Sequence, residues 1–321
     1  TMQSVIPAKA GIHRLSRTPY PESRIPGVLR AAEPYLLLSP GYLLILALMI
    51  YPMISVVLLS LRYYLLMEPG HTPFIGLDHY RRVWQDAYFW RSLQNSAVWV
   101  TASLLFQFLF GFTLALLLNS ARFRAKGVYQ AVVFTPWAVS GFLIAMMWAW
   151  MLNGEFGVVN DLLLRAHLIE QKVGFLSRSQ TALLSCVVAN VWFGLTFFAI
   201  MLLAALQSIP VDLYEAAHID GASAWQRFWR VTLPLLKPTI IVTVLLRAIW
   251  IFNWADIIWV MTKGGPGGAS QTLSLYVFQK AFLGLDFGYA AALGVVLMGL
   301  SFAFTVAFLR VSRFHEGGAF Q

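Results

Sequence analysis

The charges of this chain fall in clusters separated by long stretches that carry none, and that spacing limits the possible folds more than any other feature. Residues 34–61, 92–121, 127–154, 179–211 and 287–309 contain no Asp, Glu, Lys or Arg, and residues 238–261 contain only Arg247 and Asp256. About 20 apolar residues in a helix, rising 1.5 Å each, cross the roughly 30 Å hydrocarbon layer of a bilayer. Each of the six stretches is long enough. Helices are expected near 36–61, 92–118, 128–151, 181–206, 239–261 and 288–310. No run alternates apolar and polar residues as a membrane strand must, which excludes a β-barrel. Only 12% of residues are charged and 59% are hydrophobic, too few charges to coat a surface in water. The expected class is an all-α polytopic membrane protein with six transmembrane helices.

Residues 1–34, with five prolines and five Lys or Arg, read as a solvated N-terminal tail, and 35–321 as the transmembrane domain. The first apolar stretch is longer than the 7–15-residue core of a signal peptide and shows no small-residue cleavage site, so it reads as a retained helix. Six crossings put both termini on one side. With that side cytoplasmic, its segments carry 13 Lys or Arg against 9 in the opposite segments 62–91, 152–180 and 262–287. Positive charge concentrates on the cytoplasmic face of membrane proteins, and the short basic loop Arg122, Arg124, Lys126 fits that face best. The net charge of +9 is thus spread between apolar runs, where it sets orientation against the lipid and does not mark a nucleic-acid surface.

The sequence offers little for chemistry. Cys186 is the sole cysteine, and six scattered histidines lack metal-ligand spacing. No glycine-rich stretch ends in Gly-Lys-Ser/Thr, so the chain has no phosphate-cradling loop for ATP. Gly264-Gly265-Pro266-Gly267-Gly268 reads as a turn. A membrane-embedded enzyme would need a convergent nucleophile, base or metal set, and none is apparent. An ion-coupled transporter would show inverted repeats and midmembrane acids; no repeat is found, and Asp256 is the only acid within a span.

Segment 207–238 is too regular for a simple connection. Pro210 and Asp212 can open a short helix, with the acid where the helix dipole favours it. Gly221 can end that helix by adopting φ > 0. Trp225, Phe228, Trp229 and Leu233 follow at helical spacing, and Pro234 and Pro238 stiffen the lead into the next span. Two short helices meeting at a glycine elbow would form a compact knob suited to a groove on a partner.

Glu215-Ala216-Ala217, then Asp220-Gly221-Ala222, Phe228, Val231, Leu233-Pro234 and Pro238 resemble the EAA motif of ABC importer permeases. Phe252-Asn253, Thr262 to Gly267, Tyr276 to Phe282 and Asp286-Phe287-Gly288-Tyr289-Ala290 narrow the resemblance to sugar-importer permeases of the maltose-transporter MalF type, over roughly 36–310. The resemblance implies a type I importer (MetI-like) permease fold in the bacterial inner membrane. It implies a heterodimer with a second permease subunit, two ATP-binding cassette subunits that hold ATP and Mg, and a periplasmic solute-binding protein that delivers the cargo. It also makes Glu215, Ala216, Ala217, Asp220, Gly221, Ala222, Leu233 and Pro234 the coupling element that docks on the ATPase. No cofactor is expected on this chain.

An ionisable side chain deep in a span is costly, and it marks a candidate functional site. Arg247 lies eight residues into the fifth stretch, about 12 Å from its start by the helical rise. In one continuous helix, Trp250, Ile251 and Trp254 share its face. Indole rings pack on sugar C–H faces, and a guanidinium grips hydroxyls or a carboxylate; pairing of Arg247 with the neighbouring subunit is the alternative. The resemblance carries the sugar pocket further, to Trp137 and Gly141 and to Gly194 and Phe197 on the two preceding helices. A small polar residue at position 247 would suit maltose; an arginine favours an acidic, uronate-containing oligosaccharide, with a sugar phosphate or polyol as alternatives. In the same continuous helix Asp256 sits opposite Arg247 and has a structural role.

Overall fold

The computed structural model describes residues 27–68, 70–119 and 126–312. Regular structure among them is helical apart from two single antiparallel bridges, Arg62 with Phe74 and Leu65 with Asp286. Helix α1 (Gly27–Ile45) passes through a π-turn (Leu46–Ile50) into α2 (Tyr51–Ser60). Next come α3 (Asp78–Gln85), α4 (Ala87–Asn119), α5 (Lys126–Ala138), α6 (Gly141–Met151), α7 (Val158–Arg165) and α8 (Ala182–Gln207). The chain continues with α9 (Val211–Ile219), α10 (Ala224–Arg227), a second π-turn (Phe228–Thr232), α11 (Leu233–Asn253), α12 (Asp256–Thr262), α13 (Leu273–Phe282) and α14 (Phe287–Val311). The chain divides into two units between Met53 and Ile54; α1, in the first, begins at Gly27, earlier than expected. The tail up to residue 26, and Arg122 and Arg124, lie outside the described residues.

Five apolar helical stretches are long enough to cross a bilayer: Leu37–Ser60, Ala87–Asn119, Ala182–Gln207, Ala224–Asn253 and Phe287–Val311. Four of them match expected spans to within a few residues. The stretch 128–151 departs from expectation, because Gly127–Ala138 and Gly141–Met151 meet at a bend of 96°. Pro136 has no N–H to donate within α5. Beyond it Ser140 is extended (φ −64°, ψ 142°), and its Oγ accepts a hydrogen bond from the Leu143 amide at 3.4 Å. Ser140 therefore caps a new helix instead of continuing the old one.

The stretch 239–261 is also corrected. Its helix begins upstream, runs continuously from α10 through the π-turn, and ends at Asn253. Trp254 is extended (φ −94°, ψ 113°) and Asp256 opens α12. Asp256 and Trp254 thus do not belong to the helix of Arg247. The Asp256 carboxylate accepts instead from Trp254 Nε1 at 3.2 Å.

Helix α8 carries no charge, is apolar apart from a few residues such as Ser185, Asn190 and Thr196, and is buried along most of its length; such a helix belongs in the middle of a bundle. It packs along α4, whose buried positions recur every three or four residues and, apart from Phe89, Trp99 and Leu118, carry small or neutral polar side chains: Ser92, Ser96, Ser103, Gln107, Gly111 and Ala115. Small residues let helix backbones approach closely in lipid. One apolar core collects Trp99, Ala145, Cys186, Ile251, Ile258 and Leu275, and a second collects Phe197, Phe198, Leu202 and Leu236.

At one end of the bundle Asp86 clasps three elements. Its Oδ2 accepts from the hydroxyls of Tyr276 (2.5 Å) and Tyr289 (2.7 Å), and its Oδ1 from the Tyr88 amide at 2.9 Å. Burial alone would raise the Asp86 carboxyl; the two phenols, the Tyr88 amide and the Lys280 charge together outweigh this and hold it below its ordinary value. Beside it His79 is wholly buried, with Nε2 on the Arg62 carbonyl at 3.1 Å and Nδ1 without a hydrogen-bond partner among the described residues. Burial holds this imidazole below its ordinary pKa.

Candidate functional site

Two groups of residues combine unusual geometry with functional side chains. The first is the elbow between α9 and α10. Helix α9 ends with Asp220 at its cap and Gly221 at φ +75°. The Ala222 amide reaches back to the Ala217 carbonyl at 2.9 Å and the Gly221 amide to the His218 carbonyl at 3.0 Å. This crossed pair is the Schellman closure, which needs a left-handed residue at Gly221. Two residues on, Ser223 and Gln226 form a reciprocal capping box that starts α10 at once. Tyr214 Oη lies 3.0 Å from Thr232 Oγ1, bracing α9 against the π-turn. Glu215 and Ala216 are exposed on α9, and Ile219, Trp225 and Trp229 expose large apolar surfaces around the bend. Leu233 and Pro234 open α11 below it.

The second group surrounds Arg247. The residue is 1% exposed, yet it forms part of the wall of an open cleft of about 410 Å³ lined with Trp137, Phe193, Ile249, Trp250, Asn253 and Trp254. The guanidinium donates through Nε to Gln107 Oε1 at 2.8 Å and through Nη2 to Asn190 Oδ1 at 3.4 Å. Its carbon lies 5.6 Å from the ring centres of both Phe193 and Trp254. An arginine at midmembrane costs about 2.5–3.5 kcal/mol on insertion scales. Hydrogen bonds to a charged group are worth about 1.5–3 kcal/mol each, and each aromatic face adds roughly 0.5–2 kcal/mol. These neutral groups offset the cost. Among the described residues no carboxylate lies within 4.0 Å of Arg247, so its charge is held but not cancelled.

Residues 107–314 match the binding-protein-dependent transport system inner membrane component family. The chain belongs to that family. It is 39% identical over 282 residues to the trehalose/maltose transport system permease protein MalF of Thermococcus litoralis, covering 88% of this chain and 94% of the relative. It is 36% identical over 278 residues to the sulfoquinovosyl glycerol transport system permease protein SmoG of Agrobacterium fabrum, covering 87% and 89%. Its structure resembles that of a bacterial ABC transporter involved in the import of the acidic polysaccharide alginate, with a TM-score of 0.77 and 27% identity over 89% of this chain and 97% of that one. The chain is accordingly a multi-pass ABC importer permease for a sugar-like solute. Permease subunits of this kind are not catalysts: ATP hydrolysis resides in separate subunits, and a second permease and a solute-binding protein complete the system.

Of the residues expected around the cargo of such a permease, the structure brings Trp137, Arg247, Trp250 and Trp254 to one cleft. Ile251 does not line it: the residue is fully buried in the core, with its carbonyl accepting from Trp99 Nε1 at 2.9 Å. With Ile251 turned into the core and Trp254 beyond the end of the helix, the four residues do not form one stripe toward the cargo. Phe197 is also buried and backs the cleft, with ring centres 5.7 Å from Trp137 and 5.4 Å from Trp250. Gly141, across the 96° bend from Trp137, lies against the indole of Trp254; a Cβ there would fall 2.5 Å from Cζ2. Gly194 is buried beneath Arg247 and leaves room for its partners. Sequence reasoning missed Phe193, Asn253 and the polar pair Gln107 and Asn190. A neutral polar residue inside a charge-free span was the available signal.

Proposed function

We propose that this chain is one of two membrane-spanning subunits of an ATP-driven importer for a sugar oligomer that carries negative charge, received in the Arg247 cleft. The observation that carries the reading is a guanidinium held by neutral partners in the wall of a tryptophan-lined cleft. A carboxylate on the cargo complements that charge, while Trp137, Trp250 and Trp254 offer flat apolar faces to pyranose rings. The structural relative that imports the acidic polysaccharide alginate supports the charge assignment. The trehalose/maltose relative favours a second reading, a disaccharide held by the tryptophans alone.

In this account the chain crosses the membrane six times, the α5–α6 pair counting as one crossing, with both termini and the α9–α10 elbow in the cytoplasm. The exposed carboxylate of Glu215 and the small residues Ala216, Ala217 and Ala222 dock the elbow on an ATPase subunit. Closure of the ATPases on ATP moves the elbow, and the continuous helix from Ala224 to Asn253 carries the motion to the cleft. The cargo is delivered to the opposite face by the solute-binding protein.

The test is uptake into proteoliposomes containing the whole complex, using an oligouronate and its carboxyl-reduced counterpart. Arg247→Met reduces uptake of the oligouronate at least tenfold and leaves the reduced form within about twofold. Equal losses for both probes make Arg247 a structural residue and favour the second reading.

A further inference from the structure

The seat of Arg247 extends to α4, a helix that contributes no residue to the cleft wall. Gln107 on α4 is fully buried, and its Nε2 donates to the Asn190 backbone carbonyl on α8 at 2.9 Å. That carbonyl accepts only, so it determines which way the amide faces. Flipping the amide would set oxygen against oxygen at Asn190 and N–H against N–H at Arg247. Gln107 can therefore present only Oε1 to the arginine, and it does so at 2.8 Å from Nε. The approach requires Gly194, where a Cβ would collide with Gln107 Cδ and Oε1 and with Arg247 Nη2. With Nε on Gln107 and Nη2 on Asn190, Nη1 makes no hydrogen bond among the described residues and is the donor left for the cleft.

We propose that Gln107 is a positioning residue that sets cargo specificity: it fixes the guanidinium through a neutral acceptor, so the charge stays uncancelled and one edge stays free for a carboxylate. Gly194 is the space that permits this. The inference rests on the cargo reading above and adds to it. A glutamate at position 107 is the same size and would also hold Nε, but it would pair with the cation and cancel its charge, and its second oxygen would replace the N–H that now donates to the Asn190 carbonyl. Side-chain identity at 107 thus sets the charge of the cleft without touching the cargo.

The experiment compares wild type, Gln107→Glu, Gln107→Met and Arg247→Met in the reconstituted complex, with assembly checked by size-exclusion chromatography. Each is assayed for uptake of the oligouronate and of its carboxyl-reduced form. The solute-binding protein is common to all samples, so its own preference cancels in the ratio of variant to wild type. Gln107→Glu should lower the oligouronate-to-reduced uptake ratio at least tenfold while the complex assembles normally. Gln107→Met should raise the half-saturating oligouronate concentration several-fold with little change in maximal rate, because Arg247 loses its orienting acceptor. A purely structural role would lower both probes together. An unchanged ratio in Arg247→Met overturns the cargo reading itself. A changed ratio there with an unchanged ratio in Gln107→Glu overturns only the positioning role. Where Gln107→Glu does not assemble, an unaltered half-saturation in Gln107→Met overturns it.

Discussion

Gly221 is the residue at which backbone geometry alone should control coupling. Its φ is +75°, and an ideal Cβ built on it meets nothing within 4 Å. A Cβ there adds no clash, so the effect of alanine must come from conformation. An L-residue in the left-handed region costs about 1–2 kcal/mol, or roughly a 5–30-fold fall in the population of the elbow conformation. Asparagine tolerates that region best after glycine, whereas a β-branched residue there is an outlier. Cargo-stimulated ATP hydrolysis by the reconstituted complex should therefore decline in the order glycine, Gly221→Asn, Gly221→Ala, Gly221→Val. Gly221→Val should lose at least tenfold, and membrane levels of the permease should stay unchanged because the elbow lies outside the packed cores. Wild-type hydrolysis in Gly221→Val, or equal losses in all three variants, would refute the argument from backbone strain.

Glu215→Ala should keep the permease inserted but reduce its co-purification with the ATPase subunits, as a carboxylate that docks on a partner requires. With the buried Cys186 replaced by alanine, His218→Cys should resist a membrane-impermeant thiol reagent in intact cells while Glu170→Cys is labelled; the opposite pattern would reverse the topology. Stability should also fall in mild acid. The unfolded chain protonates His79 near 6.5, whereas the folded chain keeps it neutral to lower pH, so the unfolded state binds more protons as pH drops through that window. The melting temperature of the detergent-solubilised protein should thus decline between about pH 6.5 and 5, and His79→Gln, which retains a donor for the Arg62 carbonyl, should flatten that slope.

Charge-free stretches located the helices because burying a charge in lipid is costly at every position along a span. They do not report where the backbone turns. The break at Val139 and Ser140 lies within an apolar run, and its local signs are Pro136 and a serine able to cap α6. The end of α11 at Asn253 is similarly hidden, since Trp254, Ala255 and the following isoleucines remain compatible with a helix. That break separates Trp254 from the helix of Arg247, yet its indole still lies within 5.6 Å of the guanidinium. The elbow was more legible, because a left-handed turn between two short helices leaves a local glycine signature at Gly221. Gln107 and Asn190 were not legible as partners. Their separation of 83 residues makes the contact a property of how α4 and α8 pack, which local pattern does not encode.

The central claim is that cargo charge meets Arg247 in the cleft. The most direct measurement is a cryo-electron microscopy structure of the complete importer, trapped with ATP and an oligouronate. The account requires sugar density against Trp137 and Trp250, with a carboxylate within hydrogen-bond distance of Arg247 Nη1. Sugar density in the cleft with every carboxylate directed away from Arg247, or cargo held elsewhere in the complex, would contradict it.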